Sequence, residues 1–213
     1  FDLTRLDDPD ELKRLLLLLD ARRVLGGETE ALLRVSDSEL KSITNQLYDQ
    51  YKELRKKLLG FLRDEADGPK LPLAASIEVA QKLLDRILFI AFAGANRLME
   101  EKLLEKAVKN VNGFNPQPIW TNFQGMFALV DHGGKTKLDI PVYNGGLFAP
   151  DPVADSIMLP DHLAEEMAAL GNWDFASEVP VTVLGHLFEQ SITDIEKLRE
   201  GETEAPAANK RKR

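Results

Sequence analysis

Hydrophobic residues recur at helical spacing over much of the chain, most regularly between residues 40 and 61. There the steps between apolar positions are three or four throughout, which keeps these positions on one face of a helix. They are Leu40, Ile43, Leu47, Tyr51, Leu54, Leu58 and Phe61. Ser36, with Glu39 three residues later, has the pattern of a capping box. The sequence therefore predicts a long amphipathic helix from about Ser36 to about Glu65.

Leucines are concentrated before this helix. The acidic residues and Pro9 at positions 7–10 are typical of a helix start, because carboxylates favour the positive end of the helix dipole and proline fits the first turn. A run of leucines occupies positions 15–19. Leucines on all sides of a helix predict burial, and Gly26 with Gly27 predicts the end of this element.

A second apolar pattern, between residues 77 and 99, covers almost every side of a helix. Its apolar core is formed by Leu83, Leu84, Ile87, Leu88, Phe89, Ile90, Ala91, Phe92 and Ala93. The segment before it contains Gly68, Pro69 and Pro72, which together predict a break in the chain. The pattern predicts a central buried helix, with Ser76 as its N-cap.

Charged positions in these two helices allow structural and functional interpretations. The run at 55–57 lies opposite the apolar stripe and is interpreted as a solvated face rather than a phosphate contact. Asp85, Arg86 and Arg97 interrupt the central helix, where an unpaired charge would be costly to desolvate. Structural ion pairing is the favoured interpretation, and a contact between arginine and a nucleic-acid phosphate is the alternative.

The second half of the chain predicts shorter helices separated by turns. A charged helix is expected over 100–109, and another begins at Pro118. Its apolar face is Ile119, Phe123, Met126, Phe127 and Val130, with Trp120 in the same seam. Residues 137–142 are either a short strand or an extended segment, and 143–148 form a turn because Asn-Gly accommodates positive φ. Further helices are expected from Asp161 to Leu170 and from Pro180 onward.

These elements predict a mainly α, helical bundle-like fold of about seven or eight helices, with at most one small β-hairpin. The expected organisation is an N-terminal helical subdomain at 1–67, a helical domain at 73–199 and a polar, basic linker or tail at 200–213. The chain begins with Phe1 and ends in four basic residues after a polar, alanine-rich run, so we interpret it as a fragment of a larger protein.

Net charge, cysteine content and the length of the apolar runs disfavour several classes of function. The chain of 213 residues has a net charge of −8, and because its last four residues are all basic, residues 1–209 carry −12. Such an acidic surface disfavours an autonomous DNA-binding domain, since phosphate binding needs clustered cations. The absence of cysteine excludes disulfides and thiolate chemistry and fits a cytoplasmic location. The longest apolar run is too short to span a bilayer.

Motifs for catalysis, cofactor binding or metal binding are incomplete, so no residue is assigned to any of these roles. Residues 115–118 read Asn-Pro-Gln-Pro, which lacks the second proline and the aromatic of the Asn-Pro-Pro-aromatic motif of amino-methyltransferases. The Glu-x-Lys triplets at 11–13 and 39–41 lie on predicted helices without a converging carboxylate. His186 has no second histidine at the spacing of a helical zinc motif.

Three blocks of the sequence carry a resemblance to a known family. They are AQKLLDRILFIAFA at 80–93, IPVYNGGLF at 140–148 and VLGHLFEQSI at 183–192. Together, and in this order, they resemble the helical region between the nuclease and the methyltransferase core of type IIG restriction-modification enzymes and related large adenine-specific DNA methyltransferases. The motif positions are Asp85, Arg86, Tyr143, Asn144, Gly145, Gly146, Leu147, Phe148, Gly185, Phe188 and Glu189.

The resemblance implies a connector or scaffold fragment that lines the DNA channel of a larger enzyme. The parent would methylate adenine with S-adenosylmethionine and cleave DNA with Mg²⁺, and both cofactors would be bound outside this chain. Its partners would be the adjacent nuclease and methyltransferase domains, and DNA through the parent. Candidate DNA contacts are Arg86, Arg97, Lys210, Arg211, Lys212 and Arg213.

One departure from the family pattern follows the central helix. The family tends to have an acidic residue there, whereas this chain reads Gly94-Ala95-Asn96 before Arg97.

The alternative to a connector is a free-standing helical protein-interaction module that binds a partner around Leu147 and Phe148. The coding sequence after Arg213 would distinguish the two: an Asn-Pro-Pro-Tyr or Asn-Pro-Pro-Phe motif favours the connector, and a stop codon favours the module.

Overall fold

The computed structural model describes residues 7–64, 66–134, 137–138, 140–143 and 145–203, with side chains described as far as residue 197. Its helices are α1 (Pro9–Leu19), α2 (Ala21–Leu25), α3 (Glu28–Arg63), α4 (Leu73–Ala95), α5 (Leu103–Lys109), α6 (Pro118–His132), α7 (Asp161–Ala168) and α8 (Val181–Thr203). Short 3₁₀ turns lie at Ala154–Ser156 and Ala169–Asn172. The predicted mainly α fold is confirmed, and the described residues of the segment at 137–142 form no strand.

The chain divides into two compact units, Phe1–Asn45 and Gln46–Arg213. The division lies within α3, whereas the sequence predicts a boundary in the loop at 68–72. The reason is that only the second half of α3 has buried side chains, and these belong to the core of the second unit. The predicted linker at 200–213 begins inside α8, which continues to Thr203, and residues 204–213 lie outside the described part of the chain.

Local sequence signals explain the helices of the first unit. The Asp8 carboxylate accepts a hydrogen bond from the Asp10 N–H at 2.9 Å and caps α1, and Asp20 caps α2 in the same way. Gly27 has φ 81°, a left-handed conformation that suits glycine. The chain can therefore restart as α3 at Glu28, so the prediction that this helix begins near Ser36 is wrong.

The first unit has no buried side chain among the described residues 7–45. The prediction that its leucine run is buried is therefore wrong for these residues, because the two other helical segments of the unit, α2 and the first half of α3, do not surround α1. The large apolar side chains that remain exposed are Leu12, Leu16, Leu17, Leu19, Val24, Leu25, Leu32, Leu33 and Val35.

The core of the second unit is organised around α4, as the sequence predicts. Buried side chains lie on every side of this helix, from Ile77 to Ala93. It begins at Leu73, ahead of the predicted cap, so that Ser76 lies inside the helix and its hydroxyl donates to the Leu71 and Pro72 carbonyls. The apolar stripe of α3 is buried at Leu47, Tyr51, Leu54, Leu58 and, in place of the expected Phe61, at Leu62.

The end of α4 is set by Arg97. Its φ of 57° is left-handed, and hydrogen bonds run from Leu98 N–H to Ala93 O at 2.8 Å and from Arg97 N–H to Gly94 O at 3.2 Å. This pair of bonds is the Schellman arrangement, in which the residue after the C-cap turns the chain out of the helix. The helix therefore ends four residues before the predicted Met99.

Helix α6 covers another side of the core and matches its prediction closely. The expected apolar face and Trp120 are buried. The Trp120 ring N–H donates to the Ile157 carbonyl at 2.7 Å, which satisfies the polar atom that this ring buries. The Asp161 carboxylate accepts from the Ile119 and Trp120 N–H groups and so caps the start of α6 from the start of α7.

Candidate functional site

The three sequence blocks that carry the family resemblance lie in α4, in the segment at 140–148 and in α8. Arg86, in the first block, is 1% exposed and lies on the face of α4 that meets the second block. Its guanidinium donates to the Leu147 carbonyl at 2.9 Å and to the Ala149 carbonyl at 3.1 Å. A third bond, also 3.1 Å, reaches the Asp155 carboxylate. Each nitrogen of the guanidinium therefore holds an acceptor of the 147–155 segment.

Two acidic residues complete the folding of that segment. The second carboxylate oxygen of Asp155 accepts from the Asp151 N–H at 2.7 Å. Asp151 in turn accepts from Lys82 on α4 at 2.5 Å and from the Val153 and Ala154 N–H groups. The hydrogen bond from Lys82 and those from the two backbone groups lower the pKa of Asp151 to about 2, although partial burial opposes the shift.

Aromatic contacts fix the 143–148 turn onto the same helix. The Phe89 ring meets the Tyr143 ring edge-on at 4.9 Å and the Phe148 ring at 5.3 Å. The Arg86 guanidinium lies over the Phe127 ring at 5.2 Å, a distance at which a cation is attracted by the ring face. The turn therefore docks Phe148 on the central helix. Gly145 and Gly146 are exposed, and Asn144 lies outside the described residues.

The third block reaches α4 through Ser191. The Ser191 hydroxyl donates to the Gln81 side-chain carbonyl at 2.8 Å and accepts from Arg55 at 2.7 Å. We call Gln81, Arg86, Phe89 and the groups they contact the α4 junction. It brings all three blocks together, but of the motif positions in α8, Gly185 and Glu189 are exposed and Phe188 is half-buried.

A second buried arginine was not anticipated. Arg55 is 3% exposed, so the prediction that it lies on a solvated face is wrong, while Lys56 and Lys57 are exposed as expected. Arg55 also pairs with Asp194 at 3.3 Å, and the Tyr48 hydroxyl donates to the same carboxylate. The spacing could have revealed it: Arg55 follows Tyr51 by four residues and precedes Leu58 by three, which places all three on one helix face.

Asp85 is a partly buried carboxylate beside the α4 junction. It accepts from Gln81 at 2.8 Å and from the Tyr51 hydroxyl at 3.4 Å. Burial raises the pKa of Asp85 to about 6, because these two neutral donors and the more distant Arg55 charge only partly offset the cost of desolvating a carboxylate. Burial also raises the pKa of Tyr48 to about 12 and that of Tyr51 further.

Replacing Asp85 with asparagine is expected to stabilise the protein at neutral pH. The folded-state pKa is raised above the unfolded value, so the native state binds the extra proton and the wild type loses stability as pH rises from about 4 to about 6. Asp85→Asn removes this loss. Urea unfolding should show the variant to be more stable by about 1 to 3 kcal/mol at pH 8 and equal to wild type below about pH 4.

The control variant is Asp49→Asn, which removes an exposed carboxylate of α3 and should change the free energy of unfolding at pH 8 by no more than about 0.5 kcal/mol. A stability difference for Asp85→Asn that is the same at pH 4 and at pH 8 would show that the carboxylate does not titrate in this range.

The six residues predicted as DNA contacts differ in their surroundings. Arg86 is enclosed by its three acceptors and is not available to a phosphate, so the interpretation as a structural ion pair with Asp155 fits its geometry. The Arg97 side chain is 86% exposed, and its nearest partner is Glu101 at 3.7 Å. Lys210, Arg211, Lys212 and Arg213 lie outside the described residues.

Within the part of the chain that the structure describes, no three histidine, aspartate or glutamate side chains are close enough to hold a metal ion together. None of the described helices is both long enough and apolar enough to cross a membrane. Comparisons with protein-family models, with curated proteins and with solved structures found no match to this chain.

Proposed function

We propose that the chain is the helical connector of a restriction-modification enzyme of the type IIG class, as its three sequence blocks suggest. The observation that carries the proposal is their convergence: Gln81 and Ser191 are 110 positions apart and are hydrogen bonded, and Arg86 binds the Leu147 carbonyl 61 positions away. Blocks identified only by sequence thus contact each other at the α4 junction. Such contacts are expected if the blocks belong to one structural unit.

The proposed mechanism is positional. Two buried arginines fix the 147–155 segment and α8 against α3 and α4, so this unit would hold its attached domains in a constant relation while DNA is bound. Adenine methylation from S-adenosylmethionine and Mg²⁺-dependent cleavage would be carried out by the adjacent methyltransferase and nuclease domains. Arg97, whose side chain is exposed, is the remaining described candidate for a DNA phosphate contact.

The purified chain is expected neither to methylate nor to cut DNA. The measurement is transfer of a labelled methyl group from S-adenosylmethionine to duplex DNA, with Mg²⁺-dependent cleavage assayed in parallel. The longer protein expressed from the complete gene is the positive control and should perform at least the methylation. Methyl transfer by the 213-residue chain alone, or a gene that encodes no Asn-Pro-Pro-aromatic motif after Arg213, would overturn the proposal.

A second candidate is a free-standing helical interaction module. The surface expected for it is not available, because Phe148 is buried and Leu147 is half-buried against α4. The exposed leucines of the first unit form a different apolar surface, and it is this surface that favours the interaction module. A stop codon directly after Arg213 in the gene would favour the module over the connector.

A further inference from the structure

Helix α1 has a seam of leucines that nothing in its own unit covers. Leu12, Leu16 and Leu19 follow each other at steps of four and three, and they are 41%, 59% and 62% exposed. Leu15 and Leu18 between them are half-buried, so the helix has a partly covered face and an open one. Steps of three and four are the spacing with which two helices interdigitate in a coiled coil.

Exposed large apolar side chains are concentrated in the first unit. Single exposed leucines are ordinary, but contiguous apolar patches of more than a few hundred Å² mark interaction sites. The seam of α1 adjoins in sequence Val24 and Leu25 of α2, and Leu25 is 88% exposed. In α3, Leu33 and Val35 are 54% and 56% exposed, so each of the three helices in the unit carries uncovered apolar side chains.

We propose that this face binds the same face of a second copy of the chain, with the two α1 helices antiparallel. The argument is the charge distribution beside the seam. Residues 7–11 contain four acidic residues and no basic one, and two of them pair with residues near the middle of α1: Asp10 with Lys13 at 3.2 Å and Glu11 with Arg14 at 3.1 Å. The start of the helix therefore keeps a net negative charge, whereas residues 15–27, with Arg22 and Arg23 against Asp20, carry a net positive charge. A two-fold axis across the middle of α1 places the acidic start of each helix beside the end of the other copy's α1, after which Arg22 and Arg23 follow in the chain.

The ion pairs within the unit do not oppose this arrangement. Arg22 pairs with Asp20 at 3.5 Å, and Arg23 pairs with Glu28 at 3.8 Å; the arginine side chains are 93% and 42% exposed. Exposed pairs of this kind contribute little, so their partners can be exchanged at low cost. The seam supplies affinity and the charges select the antiparallel orientation. This inference concerns the first unit alone and does not rest on the proposed connector function.

The test is sedimentation velocity of the purified chain over a range of concentrations, without DNA or S-adenosylmethionine. A reversible monomer–dimer equilibrium is expected. Leu16→Glu puts a charge in the middle of the seam and should raise the dissociation constant about 100-fold or more. Leu16→Gln provides an uncharged second variant that should also weaken the dimer. Val181→Glu, at a position 66% exposed at the start of α8, is the matched control and should leave the dimer unchanged.

Charge reversal tests the orientation. The double variant Arg22→Glu with Arg23→Glu should weaken the dimer roughly 10-fold, and so should Asp10→Arg with Glu11→Arg. Mixing the two variants should restore association as a heterodimer. Circular dichroism should show that all variants keep the wild-type helix content. A wild-type chain that stays monomeric at all concentrations, or a dimer unaffected by Leu16→Glu, overturns the proposal. Failure of the mixture to recover overturns the antiparallel arrangement.

Discussion

Replacing Arg86 with methionine is expected to lower the free energy of unfolding by about 3 to 5 kcal/mol. Methionine keeps much of the volume of the side chain but removes its donors. The Leu147 and Ala149 carbonyls and the Asp155 carboxylate then lose the partner that holds them against α4. The loss comes mainly from the two part-buried backbone carbonyls, each of which costs about 1 to 3 kcal/mol when it is left without a donor. The Asp155 carboxylate is 46% exposed and can be hydrated, so it contributes less. Urea denaturation followed by circular dichroism measures the loss.

Two further variants test this interpretation, one at Arg86 itself and one at an exposed arginine. Arg86→Lys keeps the positive charge but cannot reach three acceptors in a planar fork, so its stability should lie between those of wild type and Arg86→Met. Arg97→Gln removes an exposed arginine and should change the stability by no more than about 0.5 kcal/mol. If Arg86→Met were no more damaging than Arg97→Gln, the α4 junction would not be held by this side chain.

Periodicity predicted the elements whose burial is decided locally. The all-round apolar pattern of α4 and the one-sided pattern of α6 required a core on those faces, and both are buried. Helix ends were less predictable because they depend on backbone conformations that residue type does not impose. Arg97 adopts a left-handed φ and ends α4 early, and Gly27 allows α3 to begin at Glu28, ahead of the capping pattern at Ser36.

Sequence patterns did not predict which groups pair with the buried charges. That Arg86 needs a partner follows from its apolar surroundings, but its acceptors lie 61 to 69 positions away, and two of them are backbone carbonyls with no sequence signal. The prediction for Arg55 was wrong because two lysines follow it, and this run of charges suggested a solvated helix face. The exposed seam of α1 was unpredictable because the same leucines would be buried if a second surface covered them.

Replacing Arg55 with alanine is expected to cost about 2 to 4 kcal/mol and to loosen α8 specifically. Arg55 is bonded to both the Ser191 hydroxyl and the Asp194 carboxylate, so its loss removes the buried part of the link between α3 and α8. The cost should be smaller than for Arg86 because Tyr48 still donates to Asp194 and Lys52 lies 3.5 Å from it. Equilibrium unfolding gives the total loss, and hydrogen exchange of the amides in α8 locates it.

Hydrogen exchange distinguishes a local loosening of α8 from a general loss of stability. In Arg55→Ala the amides around Ser191 should exchange at least about tenfold faster relative to those of α6, because local opening has its own free energy. The hydrogen bonds described for Arg55 go to Ser191 and Asp194 in α8 and not to α6. The neighbouring Lys56→Ala is the matched control, since Lys56 is exposed and its ion pair among the described residues is with Glu53 at 3.9 Å. Asp194→Asn combined with Arg55→Ala should cost less than the sum of the two single changes, since each removes the same pair. Uniform acceleration across α6 and α8 would mean that Arg55 stabilises the second unit as a whole and does not anchor α8 in particular.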